Sequence, residues 1–171
     1  MTMTMMKTMN KNIIGIIGGT GLEKSNILEN QSSQTITTSF GEPSSPIITG
    51  SIEGKPVAIV SRHGLEHTIT PSNVNYRANI MALKKLGCKN VIATTACGSL
   101  REEIAPGHFA VPDQFIDFTR LRTNTFYEEF EPGNMVHCPM AHPYNNRLRE
   151  IIVNATKAQN ASVHDGATII T

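Results

Sequence analysis

The sequence predicts an α/β protein, a mixed central β-sheet flanked by helices. The first observation behind this is three strand-length runs: Ile-Ile-Gly-Ile-Ile at 13–17, Val-Ala-Ile-Val-Ser at 57–61 and Val-Ile-Ala-Thr-Thr at 91–95. None shows the polar alternation of a half-exposed strand, so each reads as a strand covered on both faces. The second is that each run breaks off into small or polar residues: Gly18-Gly19-Thr20-Gly21, Arg62-His63-Gly64 and Ala96-Cys97-Gly98-Ser99. The third is that helical periodicity stands between and after the runs, and strands alternating with helices place a sheet at the centre.

Taken in order, residues 1–12 hold five of the eight methionines mixed with Thr, Lys and Asn, and read as a disordered tail ahead of one domain over 13–171. Residues 30–45 are rich in Ser, Thr, Gln and Gly, with Pro43 and Pro46 at their end, and read as a polar excursion. Residues 46–52 and 57–61 flank Glu53-Gly54-Lys55 as a hairpin. After Pro71, Ser72 or Asn73 caps a helix running to Leu86, with Tyr76, Ile80 and Leu83 on one face and Gly87 as its stop. Residues 109–118 give a short strand and its exit. A second amphipathic helix begins near Asn145 or Asn146, its Leu148, Ile151, Ile152 and Ala155 recurring at i, i+3, i+4 and i+7. Residues 167–171 start a further strand.

The totals exclude several function classes. A formal charge of +1 over 171 residues gives no electrostatic case for nucleic acid or for an anionic membrane. No apolar run approaches the ~20 residues of a membrane span. Cys88, Cys97 and Cys138 are odd in number and unlike zinc ligands in spacing, which fits a reducing cytoplasm best, with the nucleus as the alternative. Asn30, Asn154 and Asn160 begin glycosylation-type triplets, read as chance without a secretion signal.

The strand exits carry the chemistry. Gly18, Gly19 and Gly21 remove every Cβ from the first turn and let main-chain N–H groups approach a ligand, with Thr20 the one hydroxyl among them. The spacing is neither a dinucleotide fingerprint nor a P-loop, since Glu23 stands where the latter needs glycine before Lys24-Ser25. An anion cradle and a plain tight strand exit are the two readings of this loop. In open α/β sheets ligands bind beyond the carboxyl ends of the strands. If the three exits converge, a phosphate meets Thr20, Arg62, His63, Thr95 and the glycine-rich backbone, the guanidinium fork holding two oxygens at once. His63-Gly64-Leu65-Glu66-His67 also spells the H-x-x-E-H signature of a zinc peptidase, but that chemistry needs both histidines on a helix, and this segment follows a strand and is closed by Pro71. Of the other histidines, only His137 and His142 form even a loose pair in sequence.

At these residues the chain resembles the trimeric purine nucleoside phosphorylase family, in its methylthioadenosine phosphorylase branch. The matching runs are Gly15-Ile16-Ile17-Gly18-Gly19-Thr20-Gly21-Leu22; Arg62-His63-Gly64 with His67-Thr68 and Pro71-Ser72; and Val74-Asn75-Tyr76-Arg77-Ala78-Asn79-Ile80. Thr94-Thr95-Ala96-Cys97-Gly98-Ser99-Leu100-Arg101-Glu102-Glu103-Ile104, Asp113-Gln114-Phe115-Ile116-Asp117 and Pro139-Met140-Ala141 complete them. The resemblance implies phosphorolysis of 5′-methylthioadenosine to adenine and 5-methylthioribose 1-phosphate. It implies a homotrimer, inorganic phosphate as co-substrate, and no metal or organic cofactor. It puts phosphate on Thr20, Arg62, His63, Thr95 and the backbone of Ala96, and ribose and base beside Cys97 and Gly98.

Family members continue well past the position of Thr171. The resemblance therefore covers roughly the first three-fifths of such an enzyme, and the aspartate that protonates the base is expected beyond Thr171. On this reading the fold is incomplete at its C-terminus. Two rival functions stand beside it: a non-catalytic short subunit associating with full-length phosphorylase, and a zinc hydrolase using His63 and His67.

Overall fold

The computed structural model describes residues 12–19 and 27–171. Thr20 and the expected N-terminal tail, Asn12 apart, lie outside these residues. The chain divides into two compact units, Met1–Ala96 and Cys97–Thr171.

In the first unit, five strands form one mixed sheet in the order β2-β3-β4-β1-β5. Strand β1 (Ile14–Gly18) lies parallel to both β4 (Lys55–Ser61) and β5 (Asn90–Ala93), in the register Gly15 to Ala58 and Gly15 to Val91. The three apolar runs are therefore the three neighbouring parallel strands, but β5 is not covered on both faces as its run suggested. Asn90 and Ala93 are exposed and Val91 and Ile92 half-buried, because β5 is the last strand of the sheet among the described residues. The runs at 13–17 and 91–95 are each offset from the strand that forms, and Thr94 and Thr95 belong to the exit of β5 rather than to the strand. Strand β3 (Ile47–Ile52) pairs antiparallel with β4 across a two-residue turn, where Glu53 and Gly54 stand at φ of 48° and 70°. Two successive positive φ angles match the right-handed twist of a hairpin.

The polar excursion needs a correction. Strand β2 (Glu29–Gln34) forms inside it, antiparallel to β3, and all six of its residues are exposed. Pairing here is made by main-chain groups at a sheet edge, so no apolar pattern marks it.

One turn of 3-10 helix over Pro71–Asn73 precedes α1 (Tyr76–Lys85). Its cap is Asn75, not Ser72 or Asn73: Asn75 Oδ1 accepts the Ala78 N–H at 3.1 Å. Gly87, at φ 88°, stops the helix as expected. The face turned to the sheet is Ala78, Asn79, Ala82 and Leu83, while Tyr76 and Ile80 are exposed. Small residues decide this choice. Helix and sheet meet over Gly15, where a Cβ would lie 3.2 Å from Leu83 Cδ1 and 3.1 Å from Val91 Cγ2. The core is Ile17, Ile47, Ala58, Val60, Ala82 and Leu83.

In the second unit, residues 109–118 hold two strands, β6 (Phe109–Val111) and β7 (Gln114–Ile116). They pair in parallel with β8 (Val163–Asp165) and β9 (Thr168–Ile170) respectively. Pro112 has no N–H to give and interrupts the first pair of strands. Hydrogen bonds from Gly166 N–H to Val111 O and from Asp113 N–H to Ala167 O carry the pairing across the break. Helix α2 (Asn146–Ala158) is capped by Asn145, whose Oδ1 accepts the Leu148 N–H at 3.0 Å. Its buried residue is Val153, and Ile151, expected on the apolar face, is exposed. Arg149 ties the helix to the strands through Pro112 O and Asp165 Oδ1.

Leu83 is fully buried against Gly15. Leu83→Ala is expected to cost about 2–5 kcal/mol in denaturant unfolding, and Ile80→Ala markedly less. Equal losses would return Ile80 to the core face.

Candidate functional site

The site is built where β4 and β5 leave the sheet on either side of β1. Arg62 N–H donates to Gly18 O at 3.1 Å, and Thr94 N–H donates to Ile17 O at 3.0 Å. The parallel ladder thus continues one step past both strands and brings residues far apart in sequence to the end of β1. Arg62 then reaches across that end. Its Nη1 donates to Thr94 O at 2.9 Å, and Nη2 lies 3.5 Å from Thr95 Oγ1.

Gly19 leaves room for this crossing. A Cβ at that position would lie 3.1 Å from Arg62 Nη2 and 3.4 Å from Thr94 O. The glycine's use here is a slot for a guanidinium as well as an open backbone.

His63 is held on both nitrogens. Arg62 Nε lies 3.3 Å from His63 Nε2, and His63 Nδ1 lies 2.8 Å from Ile69 O. A guanidinium can only donate, so Nε2 accepts and the ring proton is on Nδ1, donated to Ile69 O. The imidazole thus spends its Nε2 lone pair on Arg62 and its proton on Ile69 O. Its neighbour in the zinc-type signature, His67, lies with its ring 5.9 Å away by centroids. The segment between them is a set of turns with Gly64 at φ 81° and His67 at φ 53°, not the helix that signature needs. Among the described residues no group of three His, Cys, Asp or Glu is placed to hold a metal ion.

Arg62, His63 and Thr95 are thus brought together. Ala96 follows directly, its carbonyl 3.3 Å from Thr95 Oγ1. Cys97 and Gly98 are exposed and open the second unit. The chemistry assembled suits an oxyanion through the guanidinium fork, with the Thr95 hydroxyl, donated to Ala96 O, and the His63 imidazole beside it at the ends of parallel strands. A guanidinium has five N–H groups. Three take part in the contacts above, which leaves one on each Nη for the two oxygens of a tetrahedral anion.

The model of the family described as the phosphorylase superfamily matches residues 13–171. The chain belongs to that superfamily. It is similar to S-methyl-5′-thioadenosine phosphorylase of Drosophila pseudoobscura pseudoobscura, 48% identical over 160 residues, which cover 92% of this chain and 55% of that protein. The zebrafish (Danio rerio) protein of the same name is 44% identical over 160 residues, covering 92% of this chain and 57% of its own. Among solved structures, methylthioadenosine phosphorylase from Schistosoma mansoni in complex with tubercidin matches with a TM-score of 0.84 and 38% identity. That match covers 94% of this chain and 63% of the other; the same enzyme in apo form gives 0.85. The chain spans little more than half the length of the curated relatives it matches.

Some parts of the arrangement escaped the sequence reading. Thr94 acts through its carbonyl and Gly19 through the space it leaves for Arg62, roles that their places in the motif runs do not reveal. In the second unit, His108 and His164 form a pair where none was expected. His108 Nδ1 lies 2.9 Å from His164 Nε2, with the rings stacked at 5.1 Å. They stand at the β6–β8 pairing, and their separation along the chain hides it. His137 and His142 are both exposed.

No helix among the described residues is long and apolar enough to cross a membrane. All three cysteines are free, Cys97 and Cys138 exposed and Cys88 partly buried. Burial pushes the Cys88 thiol up, offset in part by its own main-chain hydrogen bond. A raised value means less thiolate at a given pH, and the thiolate is the nucleophile. Cys88 should therefore be the slowest of the three to react with iodoacetamide at pH 8, as peptide mass mapping over time would record. Labelling of Cys88 before Cys138 would contradict its place beside Gly15.

Proposed function

We propose that this chain carries the phosphate-binding half of a purine nucleoside phosphorylase, acting on 5′-methylthioadenosine as the relatives' names indicate. The observation that carries the reading is the convergence of Arg62, His63 and Thr95 at the end of β1, with Gly19 admitting the guanidinium. We assign phosphate contacts to Thr20, Arg62, His63, Thr95 and Ala96, and place Cys97 and Gly98 beside the nucleoside. Residues 13–171 are taken as one nucleoside phosphorylase-like domain, in keeping with the extent of the family match. A homotrimer is what the family resemblance implies, and three free thiols suit a cytoplasmic chain.

In the reaction, a phosphate oxygen forms a bond to the anomeric carbon as the glycosidic C–N bond breaks. The electron pair leaves with adenine, which takes up a proton. Positive charge builds on the sugar in the transition state, and a fixed phosphate dianion stabilises it from one face. Phosphate is then both nucleophile and counter-charge. The reading includes no metal and no organic cofactor.

The tautomer of His63 adds a detail. Hydrogen phosphate carries one P–OH, and that hydroxyl can donate to Nε2 in place of Arg62 Nε. Sulfate has no such donor. Phosphate should therefore bind more tightly than sulfate, and His63→Ala should erase most of the difference. Arg62→Ala should weaken phosphate binding by about 1.5–3 kcal/mol, the range for a hydrogen bond to a charged group. Isothermal titration with each anion measures both effects, and unchanged phosphate affinity in Arg62→Ala would remove the site. Release of adenine from methylthioadenosine, followed with and without phosphate, tests the reaction itself. Phosphate-independent release would exclude phosphorolysis.

A further inference from the structure

The proposed site has a support outside the residues assigned to the anion. Ser61, the last residue of β4, is 1% exposed, and β3 has already ended beside it. Its N–H has no ladder carbonyl on that side. Ser45 Oγ takes the bond at 3.0 Å while donating its own hydrogen to Pro46 O at 2.9 Å. Ser45 is itself buried. Arg62, next in the chain, donates its N–H the other way, to Gly18 O. The backbone is therefore clamped from both sides at the two residues that aim the guanidinium.

Ser45 is in turn held by α1. Asn79, 1% exposed, accepts the Ser44 N–H on Oδ1 at 2.8 Å and donates from Nδ2 to Ser44 Oγ at 3.0 Å. One turn earlier Asn75 Nδ2 donates to Phe40 O at 2.7 Å. A polar amide in the core face of a helix is costly unless satisfied. Here both ends of Asn79 are spent on the one residue preceding Ser45. That expenditure makes sense as a fixture for the segment that pins β4.

We infer that Ser45, braced by Asn79, is a positioning residue for Arg62 in the anion site. The inference rests on the phosphate reading above, and it adds a residue that touches no substrate. Loss of the Ser45 hydroxyl leaves a buried N–H unpaired and frees the β4 exit to shift, which moves the guanidinium off Thr94 O and away from the anion.

The test is phosphate titration of the full 171-residue chain, wild type against Ser45→Ala, Ser45→Thr and Ile47→Val. Ile47→Val thins the core next door and keeps the hydroxyl bond. The expected result is a roughly two- to tenfold weaker phosphate affinity in Ser45→Ala, the worth of one neutral hydrogen bond. Ser45→Thr should restore affinity, and Ile47→Val should lower Tm without changing affinity. If Ser45→Ala does not fold, Ser45→Cys, which keeps the shape with a weaker acceptor, is expected to give the same loss. Wild-type affinity in Ser45→Ala, with binding lost in Arg62→Ala, overturns the positioning role and leaves the phosphate site standing. An equal loss in Ile47→Val also overturns it, because general loosening of the core would then suffice. No phosphate binding by wild type overturns the site and this inference together.

Discussion

Two main-chain hydrogen bonds flank the end of β1, Arg62 N–H to Gly18 O and Thr94 N–H to Ile17 O, and the candidate site depends on both. They are the last rungs of the parallel ladders on either side. Because side chains alternate along a strand, a one-residue slip in either ladder would send Arg62 or Thr95 to the opposite face. Below the site Gly15 lets Leu83 and Val91 pack closely over β1, where a Cβ would lie 3.2 and 3.1 Å from their side chains. Core packing and site geometry are thus linked along one strand: the glycine that seats α1 lies two and three positions before the carbonyls that take the Thr94 and Arg62 hydrogens.

Legibility followed what each residue uses to act. Strands β1 and β4 were readable because burial demands apolar runs, and β5 because it shares that apolar character although its residues are only half-buried or exposed. Arg62 and Thr95 were readable because they stand at the ends of those runs. The hairpin turn and Gly87 were readable because positive φ favours few residues. The faces of the helices were misjudged for a physical reason. Periodicity counts large apolar residues, whereas α1 meets the sheet through Ala78, Ala82 and Leu83 together with a polar Asn79. Asn79 is in the core because its amide is fully used on Ser44.

The unreadable parts act through the backbone or across long separations. Strand β2 has no apolar pattern, since it borrows its order from β3. Thr94 contributes a carbonyl, Gly19 a space, and Ser45 a single hydroxyl that completes a ladder. His108 and His164 meet only because β6 and β8 pair. In each case the signal lies in the partner and not in the residue.

Strand β2 bears on how the molecule behaves among other copies of itself. It lies at the margin of the sheet, and an open row of N–H and C=O groups is a template on which a second chain can stack. Between Glu29 and Ser32 the pairing with β3 shifts register, so that Asn30 and Gln31 stand against Gly50 alone, with Asn30 at φ 51°. A bulge of this kind bends and twists the strand and breaks the even spacing of its outward groups. Gly50 accommodates it, since a Cβ there would come within 2.8 Å of Glu29 O. The margin is thus polar and irregular, features that blunt edge-to-edge pairing, and the irregularity traces to one glycine and one left-handed asparagine.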